Sequence, residues 1–450
     1  MALRKRFLLC LLTAILLCCL GGCEIETQQN ISGRADIYTD AEENESRDNA
    51  SMTDASSDSE ASAGKASSRK TSSAKPSVAD EKSPVSSTQG NVKTISIRKS
   101  NLSSFKTVGR CGINNSLGLT LPWSCSSVAF DLECAGDVVL QFRKASPAKS
   151  VWIEISVDGQ AIDGGRTEIS AGNAITVAQN LPQGLHRIQM VRQSDCEAPL
   201  LTLESIQTTG SLAPAPSNGR LYIEAIGDAA LLGLGVRLKD SFFSNGFDQT
   251  VVLDRAHEDG TLSYPYVAAE KLSADCYILA RRGVGIAATF YVENTSYQGK
   301  TVLAANAAGL LPTIYLRNTI EDATPYDFSR KADIIVVDAG ATDVNGMLLK
   351  QVMDTNQYGI SLERSAEITM DFFRGLCAKN PGVKIIWCYG LTNNSSALRK
   401  HINTVISALG GEDAGFYCLE MKTTARRGFP SASEYEQAAK RLCQMIRRIV

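Results

Sequence analysis

One short segment combines a glycine and an aspartate in a place where enzymes often carry a nucleophile. Gly227 and Asp228 follow the apolar run "LYIEAI", and Gly233 and Gly235 come a few residues later. A buried strand that runs into a tight turn and a helix can hold a hydroxyl exposed for attack on a carbonyl carbon. The residue at the expected position of that hydroxyl is Ala229, whose methyl group cannot attack. The segment therefore has the frame of a catalytic turn without its reactive side chain.

The elements around this turn alternate between strands and helices. Apolar runs typical of buried strands are "LYIEAI", "CYILA", "ADIIVVDA", "VKIIWCYG" and "GFYCLEM", and helical spacing occurs over 361–379 and in the final segment. Ser431 and Glu434 match a capping box at the start of that last helix. The pattern predicts an α/β domain over 220–450, with a mostly parallel five-stranded sheet covered on both faces. Ligands of such sheets bind beyond the carboxyl ends of the strands, where Asp228 lies.

Residues 93–210 have a different rhythm. The segments "SVAFDLECAGDVVLQFR", "VWIEISVDGQAI" and "NAITVAQNLPQGLHRIQMVRQ" each predict two strands, around Gly-Asp, Asp-Gly and Pro-Gln-Gly turns. No stretch here has helical apolar spacing, so we predict an all-β domain, a β-sandwich or jelly roll. The proline-bearing segment "SLAPAPSNG" at 211–219 is predicted to be the linker between the two domains.

Together these segments resemble the SGNH (GDSL-type) hydrolases, and within them carbohydrate esterase family 2. The resemblance covers roughly residues 93–450. In the β part it rests on "FKTVGR", "LPWSCSSVAFDLE", "VDG" and "LPQGLHRIQMVR", and in the α/β part on four short blocks. It implies a jelly roll followed by a flavodoxin-like esterase domain, and acetylated polysaccharides as the usual substrates.

The first two blocks of the family carry the nucleophile and an oxyanion donor. The first block is Gly-Asp-Ser, and this sequence keeps Gly227 and Asp228 but has Ala229 in the serine position. In the second block the resemblance makes the backbone N–H of Gly283 the oxyanion donor. Arg282 precedes it where the family has a small residue, and we expect this side chain to point to solvent.

The last two blocks carry a second oxyanion donor, the orienting acid and the base. In the third, Gly340 and Asp343 are retained and Thr342 replaces the asparagine whose amide donates to the oxyanion. In the fourth, Arg427 stands in the position of the acid and Phe429 in that of the histidine. Phenylalanine has no titratable proton, and arginine cannot orient an imidazole as a carboxylate does.

Because nucleophile, base and acid are missing together, we predict a catalytically inactive relative of the esterases. With their partners absent, Asp228 and Asp343 are expected to bond backbone groups at their own loops. The glycines that shape the pocket persist, which favours a module that binds a polysaccharide or an envelope protein through the inherited cleft or the β part. A purely structural role of those glycines, in keeping the turns foldable, is the plainer interpretation.

The alternative is an active carboxylic-ester hydrolase, a polysaccharide deacetylase with a non-standard nucleophile. A triad of Ser244 or Ser263 with His257 and Asp343 is the arrangement that the sequence allows. Against it, no serine lies on a strand-to-helix turn that would hold its hydroxyl exposed. A second histidine, His401, falls in a helical stretch between neighbours that look exposed.

The first residues predict the location. Basic residues at 4–6 precede the apolar run "FLLCLLTAILLCCL", which ends in Leu-Gly-Gly-Cys at Cys23 and resembles the lipobox of bacterial lipoproteins. Residues 1–22 are then a signal peptide, and lipidated Cys23 anchors the chain to the membrane. Residues 23–92 are too polar to bury a core and form a disordered tether. We expect an extracytoplasmic protein of the bacterial cell envelope.

Charge and cysteine usage exclude other classes. The net charge of −2 and the lack of a basic motif argue against a nucleic-acid partner. The cysteines after residue 93 form no C-x-x-C pair, and no metal-ligand spacing or phosphate-binding loop occurs, so we expect neither a metal nor another cofactor. An extracytoplasmic location permits disulfides, which we expect within 111–196.

Overall fold

The structure is a computed structural model. It describes residues 91–450 apart from 115–116, 147–148, 170–173, 239–256, 289–294, 298–299, 303–308, 321, 323, 345–360, 393 and 422–429. Residues 89–450 fall in one compact unit, in which a β-rich part is followed by an α/β part.

The β-rich part is one large curled antiparallel sheet, with eleven strands in the described ranges. Its strands are β1 Lys93–Ser96, β2 Lys106–Val108, β3 Gly112–Asn114, β4 Gly118–Leu121, β5 Ser127–Lys144, β6 Val151–Val157, β7 Gln160–Ala161, β8 Thr167–Ile169, β9 Ala174–Arg192, β10 Leu201–Thr208 and β11 Ser211–Leu212. The main order is β3-β4-β10-β5-β9-β6-β7; β1 pairs with β10, β2 and β11 pair with β5, and β8 pairs with β6. Two 3₁₀ turns lie at Lys99–Ser104 and Asp163–Gly165.

The two longest strands differ from the sequence prediction. β5 and β9 were each expected to be a pair of strands around a turn, yet each runs on as a single strand and the two pair along most of their length. Around Gly136 the pairing of β5 with β9 shifts its register between Cys134 and Val139. A β-bulge explains this, because it admits an extra residue without ending the strand. The turn predicted in "VWIEISVDGQAI" is confirmed, since β6 and β7 form an antiparallel pair around it.

The predicted linker begins inside the sheet. Ser211 and Leu212 form β11, which pairs with Glu133 and Leu132 of β5. The remaining residues of 211–219 carry no strand or helix.

The α/β part contains the predicted five-stranded parallel sheet. Its strands are β12 Tyr222–Gly227, β13 Asp275–Ala280, β16 Ile334–Asp338, β17 Lys384–Tyr389 and β18 Phe416–Glu420, and a small hairpin is formed by β14 Thr295–Tyr297 and β15 Lys300–Val302. The order β13-β12-β16-β17-β18 is the 2-1-3-4-5 order of flavodoxin-like sheets. All four pairings are parallel.

Helices cover both faces of this sheet. They are α1 Tyr264–Lys271, α2 Leu311–Ile314, α3 Leu362–Lys379, α4 Ser396–Ala408 and α5 Ala432–Ile449, with 3₁₀ turns at Ala229–Leu232, Gly260–Leu262 and Gly411–Ala414. Apolar residues of α3 and α4 pack on one face, and those of α1 and α5 on the other. The predicted capping box is confirmed: the Ser431 hydroxyl accepts from the Glu434 N–H at 3.3 Å, and the Ser431 N–H donates to the Glu434 carboxylate at 2.9 Å.

The β-rich part meets the parallel sheet at its outer strand β13. Ser124 and Ile278 form an antiparallel bridge, in which the Ile278 N–H donates to the Ser124 carbonyl at 2.9 Å. The Cys196 thiol lies 3.3 Å from the carbonyl of Ala280 at the end of the same strand.

A buried arginine joins the two parts more deeply. Arg110, in the loop after β2, is 1 % exposed and donates from Nε to the Tyr277 hydroxyl at 2.9 Å. Its Nη1 donates to the carbonyls of Tyr315 at 2.5 Å and Arg317 at 2.6 Å. The hydroxyls of Tyr277 and Tyr315 in turn donate to the two carboxylate oxygens of Glu224, at 2.9 and 3.1 Å. One cation of the β-rich part therefore balances one buried carboxylate of β12.

The cysteines of the described ranges, from Cys111 to Cys443, are all free, so the disulfide expected within 111–196 does not form. Within those ranges no helix combines the length and the apolar character needed to cross a bilayer.

Candidate functional site

The candidate site lies where three neighbouring strands end. The chain goes from β12 outward to β13 on one side and later returns to β16 on the other, so the sheet changes direction at β12. This is the position at which open α/β sheets bind their ligands. Gly227 is the last residue of β12, and Asp228 follows it directly.

The carboxylate of Asp228 gathers the groups that the sequence aligned with an oxyanion site. Its Oδ1 accepts from the backbone N–H of Ala229 at 2.6 Å and from that of Gly283 at 2.8 Å. Its Oδ2 accepts from the hydroxyl of Thr342 at 2.6 Å. Two segments that are distant in sequence, those of Gly283 and Thr342, thus converge with the neighbouring Ala229 on one carboxylate.

The hydrogen bonds to Asp228 occupy donors that an oxyanion would need. A donor that already serves a carboxylate is engaged before any acyl oxygen arrives, and catalysis requires donors aimed at the charge that develops in the transition state. Burial raises the pKa of Asp228 and the three hydrogen bonds lower it again, with a net rise. A second carboxylate nearby, Asp343, also raises that pKa.

The turn after Asp228 is built by close backbone approach. Ala229 begins the 3₁₀ turn that Asp228 caps, and its methyl group offers no hydroxyl to the site. A Cβ on Gly227 would lie 2.0 Å from the carbonyl oxygen of Asp338, so only glycine fits between β12 and β16 here. Gly233 ends the turn with φ +64°, and a Cβ there would lie 2.0 Å from the Asp259 carbonyl. The turn therefore requires glycine at both positions regardless of catalysis.

The other retained motif residues have structural contacts. Asp343 is 1 % exposed, and its carboxylate accepts from the N–H groups of Ile286, Ala287 and Ala288 at 3.0, 2.6 and 2.8 Å. It holds the loop that follows β13, while burial raises its pKa. Gly235 and Gly340 are buried and lie in the turns after β12 and β16.

A pocket of about 110 Å³ lies beside Ala229. Its apolar lining includes Ala229, Ala230, Leu234, Ala339, Ala341 and Pro430; its polar lining is Asp228, Asp338, Thr392 and Tyr435. Asp338, the last residue of β16, accepts from the Tyr264 hydroxyl at 2.8 Å. Burial, with a further contribution from Asp228, raises the pKa of Asp338 to about 7.

Two predicted positions cannot be placed. Arg427 and Phe429, aligned with the acid and the base, lie outside the described residues. Pro430, the next residue, is described and lines the pocket. The fourth block therefore ends at the pocket wall.

The expectation that Arg282 points to solvent is wrong. Its guanidinium pairs with the carboxylate of Glu258 and lies 3.6 Å from that of Asp195 in the β-rich part. Both carboxylates are almost fully buried, and the arginine side chain is 15 % exposed. Burial and the neighbouring Asp195 raise the pKa of Glu258 to about 7 although Arg282 lowers it. A cation is placed here because two buried carboxylates need one.

The alternative triad is not assembled in the described residues. The Ser263 hydroxyl donates to the carbonyl of Gly260 at 2.7 Å and is fully buried, while the Asp343 carboxylate is engaged by backbone N–H groups. His257 is described, whereas Ser244 lies outside the described residues. His401, expected at the surface, is buried against Trp387, and burial lowers its pKa to about 4. Leu398 and Ile402 are buried on the same face of α4, so the apolar stripe of this helix includes the histidine.

Sequence reasoning missed Asp338, which contributes to the polarity of the pocket, and its hydrogen-bond partner Tyr264. Asp338 was inside an apolar run, and its position at the strand's carboxyl end was the available signal. No cluster of histidine, cysteine or carboxylate side chains in the described ranges has the arrangement to hold a metal ion.

Comparison with known proteins identifies the fold. Residues 107–216 match the family model described as carbohydrate esterase 2 N-terminal. No curated protein matches the sequence. Among solved structures, a family two carbohydrate esterase from Cellvibrio japonicus is similar at 18 % identity and a TM-score of 0.63, over 80 % of this chain and 98 % of that one.

Two further solved structures are similar to this chain to the same degree. An acetyl xylan esterase from the rumen bacterium Butyrivibrio proteoclasticus has 17 % identity and a TM-score of 0.64, over 79 % of this chain and 98 % of its own. A family two carbohydrate esterase from Clostridium thermocellum in complex with cellohexaose has 17 % identity and a TM-score of 0.62, over 76 % and 98 %. The chain thus has a fold similar to that of family two carbohydrate esterases, with an α/β part after a β-rich part.

Proposed function

We propose that this chain is a catalytically inactive, surface-anchored esterase-like protein that binds a glycan at the inherited cleft, with a jelly-roll β part. The observation that carries the proposal is the coordination of Asp228. The N–H groups of Ala229 and Gly283 and the hydroxyl of Thr342 all donate to its carboxylate. No hydroxyl is present at position 229 to begin acyl transfer.

A glycan is the ligand that the comparisons favour. The similar esterase from Clostridium thermocellum was solved with cellohexaose. In this chain the strand ends and the turn after Asp228 enclose a pocket beside Ala229. A protein that loses its reactive groups but keeps this cleft retains the surface needed to hold a polysaccharide.

The test combines an activity assay with a binding assay on the purified full chain in mild detergent. We expect no hydrolysis of p-nitrophenyl acetate or acetylated xylan above background, and no labelling by a fluorophosphonate probe. Affinity electrophoresis with soluble polysaccharides is expected to retard the chain. Covalent labelling of a serine would contradict the proposal, and retention by no polysaccharide would leave a protein partner as the ligand class.

A restoration experiment probes the assignment of the four blocks. The changes Ala229→Ser, Arg427→Asp and Phe429→His rebuild the nucleophile, acid and base of the family pattern. Thr342→Asn restores a donor whose loss typically costs about 2.7–4 kcal/mol of transition-state stabilisation. We expect measurable esterase activity from the fourfold variant and less from the threefold one. A folded fourfold variant without activity would mean that the blocks are wrongly assigned.

Anchoring is tested separately. If Cys23 is lipidated, the chain will partition into the detergent phase and take up labelled palmitate in a bacterial host. Cys23→Ala should abolish the labelling, and Cys111→Ala serves as the matched control. Labelling that survives Cys23→Ala would refute the lipid anchor.

A further inference from the structure

The pocket beside Ala229 contains a carboxyl group, that of Asp338, which no cation among the described residues balances. Asp338 is 9 % exposed, and its Oδ2 accepts one hydrogen bond, from Tyr264. Besides Tyr264, the titratable groups that interact electrostatically with Asp338 are Asp228, Cys388 of β17 and Tyr435 of α5. Each of these is neutral or anionic, and in the described residues Asp338 forms no ion pair.

A carboxyl group in such a place has two stable states. Removing a carboxylate from water without a cation is costly, so the group either keeps its proton or takes a cationic partner. The pKa of Asp338, raised by burial to about 7, places the exchange between these states near neutral pH.

A second polar group on the pocket wall has no hydrogen bond of good geometry within the described ranges. Tyr435 is fully buried; the backbone of Leu234 lies close enough to lower the pKa of its hydroxyl, yet that hydroxyl makes no hydrogen bond of normal geometry in the described part of the chain. Buried hydroxyls are nearly always satisfied, so an unsatisfied one beside a pocket indicates a bound group. A phenol oxygen can accept a hydrogen bond from an ammonium group beside a carboxylate.

Size restricts the ligand to a small group. A volume of about 110 Å³ is smaller than the engineered cavity of about 150 Å³ that admits benzene. It has room for an amine with the carbons next to it, and the methyl groups of Ala229 and Ala339 in its lining would face those carbons. The carboxyl groups of Asp228 and Asp338 in the lining disfavour an anionic ligand.

We propose that this pocket binds the ammonium group of a de-N-acetylated amino sugar, with Asp338 as the counter-charge and the Tyr435 hydroxyl as a second acceptor. The inference rests on the proposed glycan-binding function and specifies the sugar. Binding is non-covalent: the ammonium group replaces the proton of Asp338, which leaves to solvent.

Isothermal titration calorimetry of the full chain at pH 7 tests this with three probes of matched length. These are the tetramer of glucosamine, the fully N-acetylated tetramer and tetralysine. We expect the glucosamine tetramer to bind at least tenfold more tightly than either of the others. Asp338→Asn should weaken its binding by about 10–100-fold, the usual effect of losing a charge-assisted hydrogen bond, and leave the N-acetylated tetramer unaffected.

Two further variants keep the test decisive. Tyr435→Phe removes only the hydroxyl and should weaken binding of the glucosamine tetramer severalfold. Asp371→Asn removes an exposed carboxylate of α3, paired with Arg374 at 3.0 Å, and should change nothing. If Asp338→Asn fails to fold, unchanged affinity of Tyr435→Phe would still overturn the inference.

The outcomes separate the two proposals. If the N-acetylated tetramer binds as tightly as the glucosamine tetramer, glycan binding stands and the ammonium site is refuted. If tetralysine binds as tightly as the sugar, the pocket selects charge without sugar and the inference is also refuted. If no sugar of any kind binds, the proposed function itself fails.

Discussion

Arg110 offers the sharpest test of how the two parts of the chain are held together. Its guanidinium reaches the hydroxyl of Tyr277 and the carbonyls of Tyr315 and Arg317, and through the two tyrosines it balances Glu224. Arg110→Met keeps a comparable apolar stem but removes the charge and these hydrogen bonds. The variant leaves Glu224 buried without the nearby cation, and we expect a cost like that of breaking a buried ion pair by removing one partner, typically about 3–5 kcal/mol.

The expected shift in Tm is this cost divided by the entropy of unfolding, which grows with the number of residues. Residues 89–450 form one compact unit, and an unfolding entropy of about 2.1 cal/mol/K per residue gives roughly 0.76 kcal/mol/K for it. A loss of about 3–5 kcal/mol therefore lowers Tm by about 4–7 °C. Scanning calorimetry of the purified unchanged chain and of the Arg110→Met variant measures this shift in Tm directly.

The control uses an arginine whose ion pair is exposed. Arg143 pairs with Glu204 at 2.5 Å, and its side chain is 54 % exposed. Exposed pairs contribute at most about 1 kcal/mol, so Arg143→Met should lower Tm by about 1 °C or less. Adding Glu224→Gln to Arg110→Met should recover part of the loss, because an amide needs no counter-charge. If Arg110→Met proves as mild as Arg143→Met, the network does not stabilise the junction.

Two more perturbations follow from the structure. Gly227→Ala should lower the free energy of unfolding in urea by about 3 kcal/mol, because overpacking at a contact of 2.0 Å forces the backbone apart. The control is Gly375→Ala, which is exposed in α3 with nothing near its Cβ and should stabilise by about 0.5–1 kcal/mol. Equal effects of the two changes would contradict the close approach of β12 to β16. His401 is neutral in the fold with a pKa of about 4, so stability is full above about pH 6.5 and falls by up to about 3 kcal/mol as the pH decreases to 4. His401→Phe should flatten that part of the pH profile, and an unchanged slope would show that another group causes it.

Much of the fold could be predicted because its signals are local. The five apolar runs of the parallel sheet became β12, β13, β16, β17 and β18, and Ser431 with Glu434 marked the start of α5. Periodicity and capping chemistry depend on neighbours in sequence, so they can be recognised without a structure.

Other features depend on partners that are distant in sequence. Gly136 looked like a turn, but the pairing of β5 with β9 converts it into a bulge. Arg282 looked exposed, but Glu258 and Asp195 approach it from another loop and from the β-rich part. The convergence of Gly283 and Thr342 on Asp228 likewise became visible only in three dimensions.

The bridge between Ser124 and Ile278 has a consequence for any attempt to divide this chain. β13 is one of the two outer strands of the parallel sheet, and a bare outer strand is a template for unwanted pairing with other chains. The β-rich part covers it with a backbone hydrogen bond and with the Cys196 thiol at Ala280. Expressed alone, the α/β part would present that strand uncovered and tend to self-associate, so the β-rich part also protects it against aggregation.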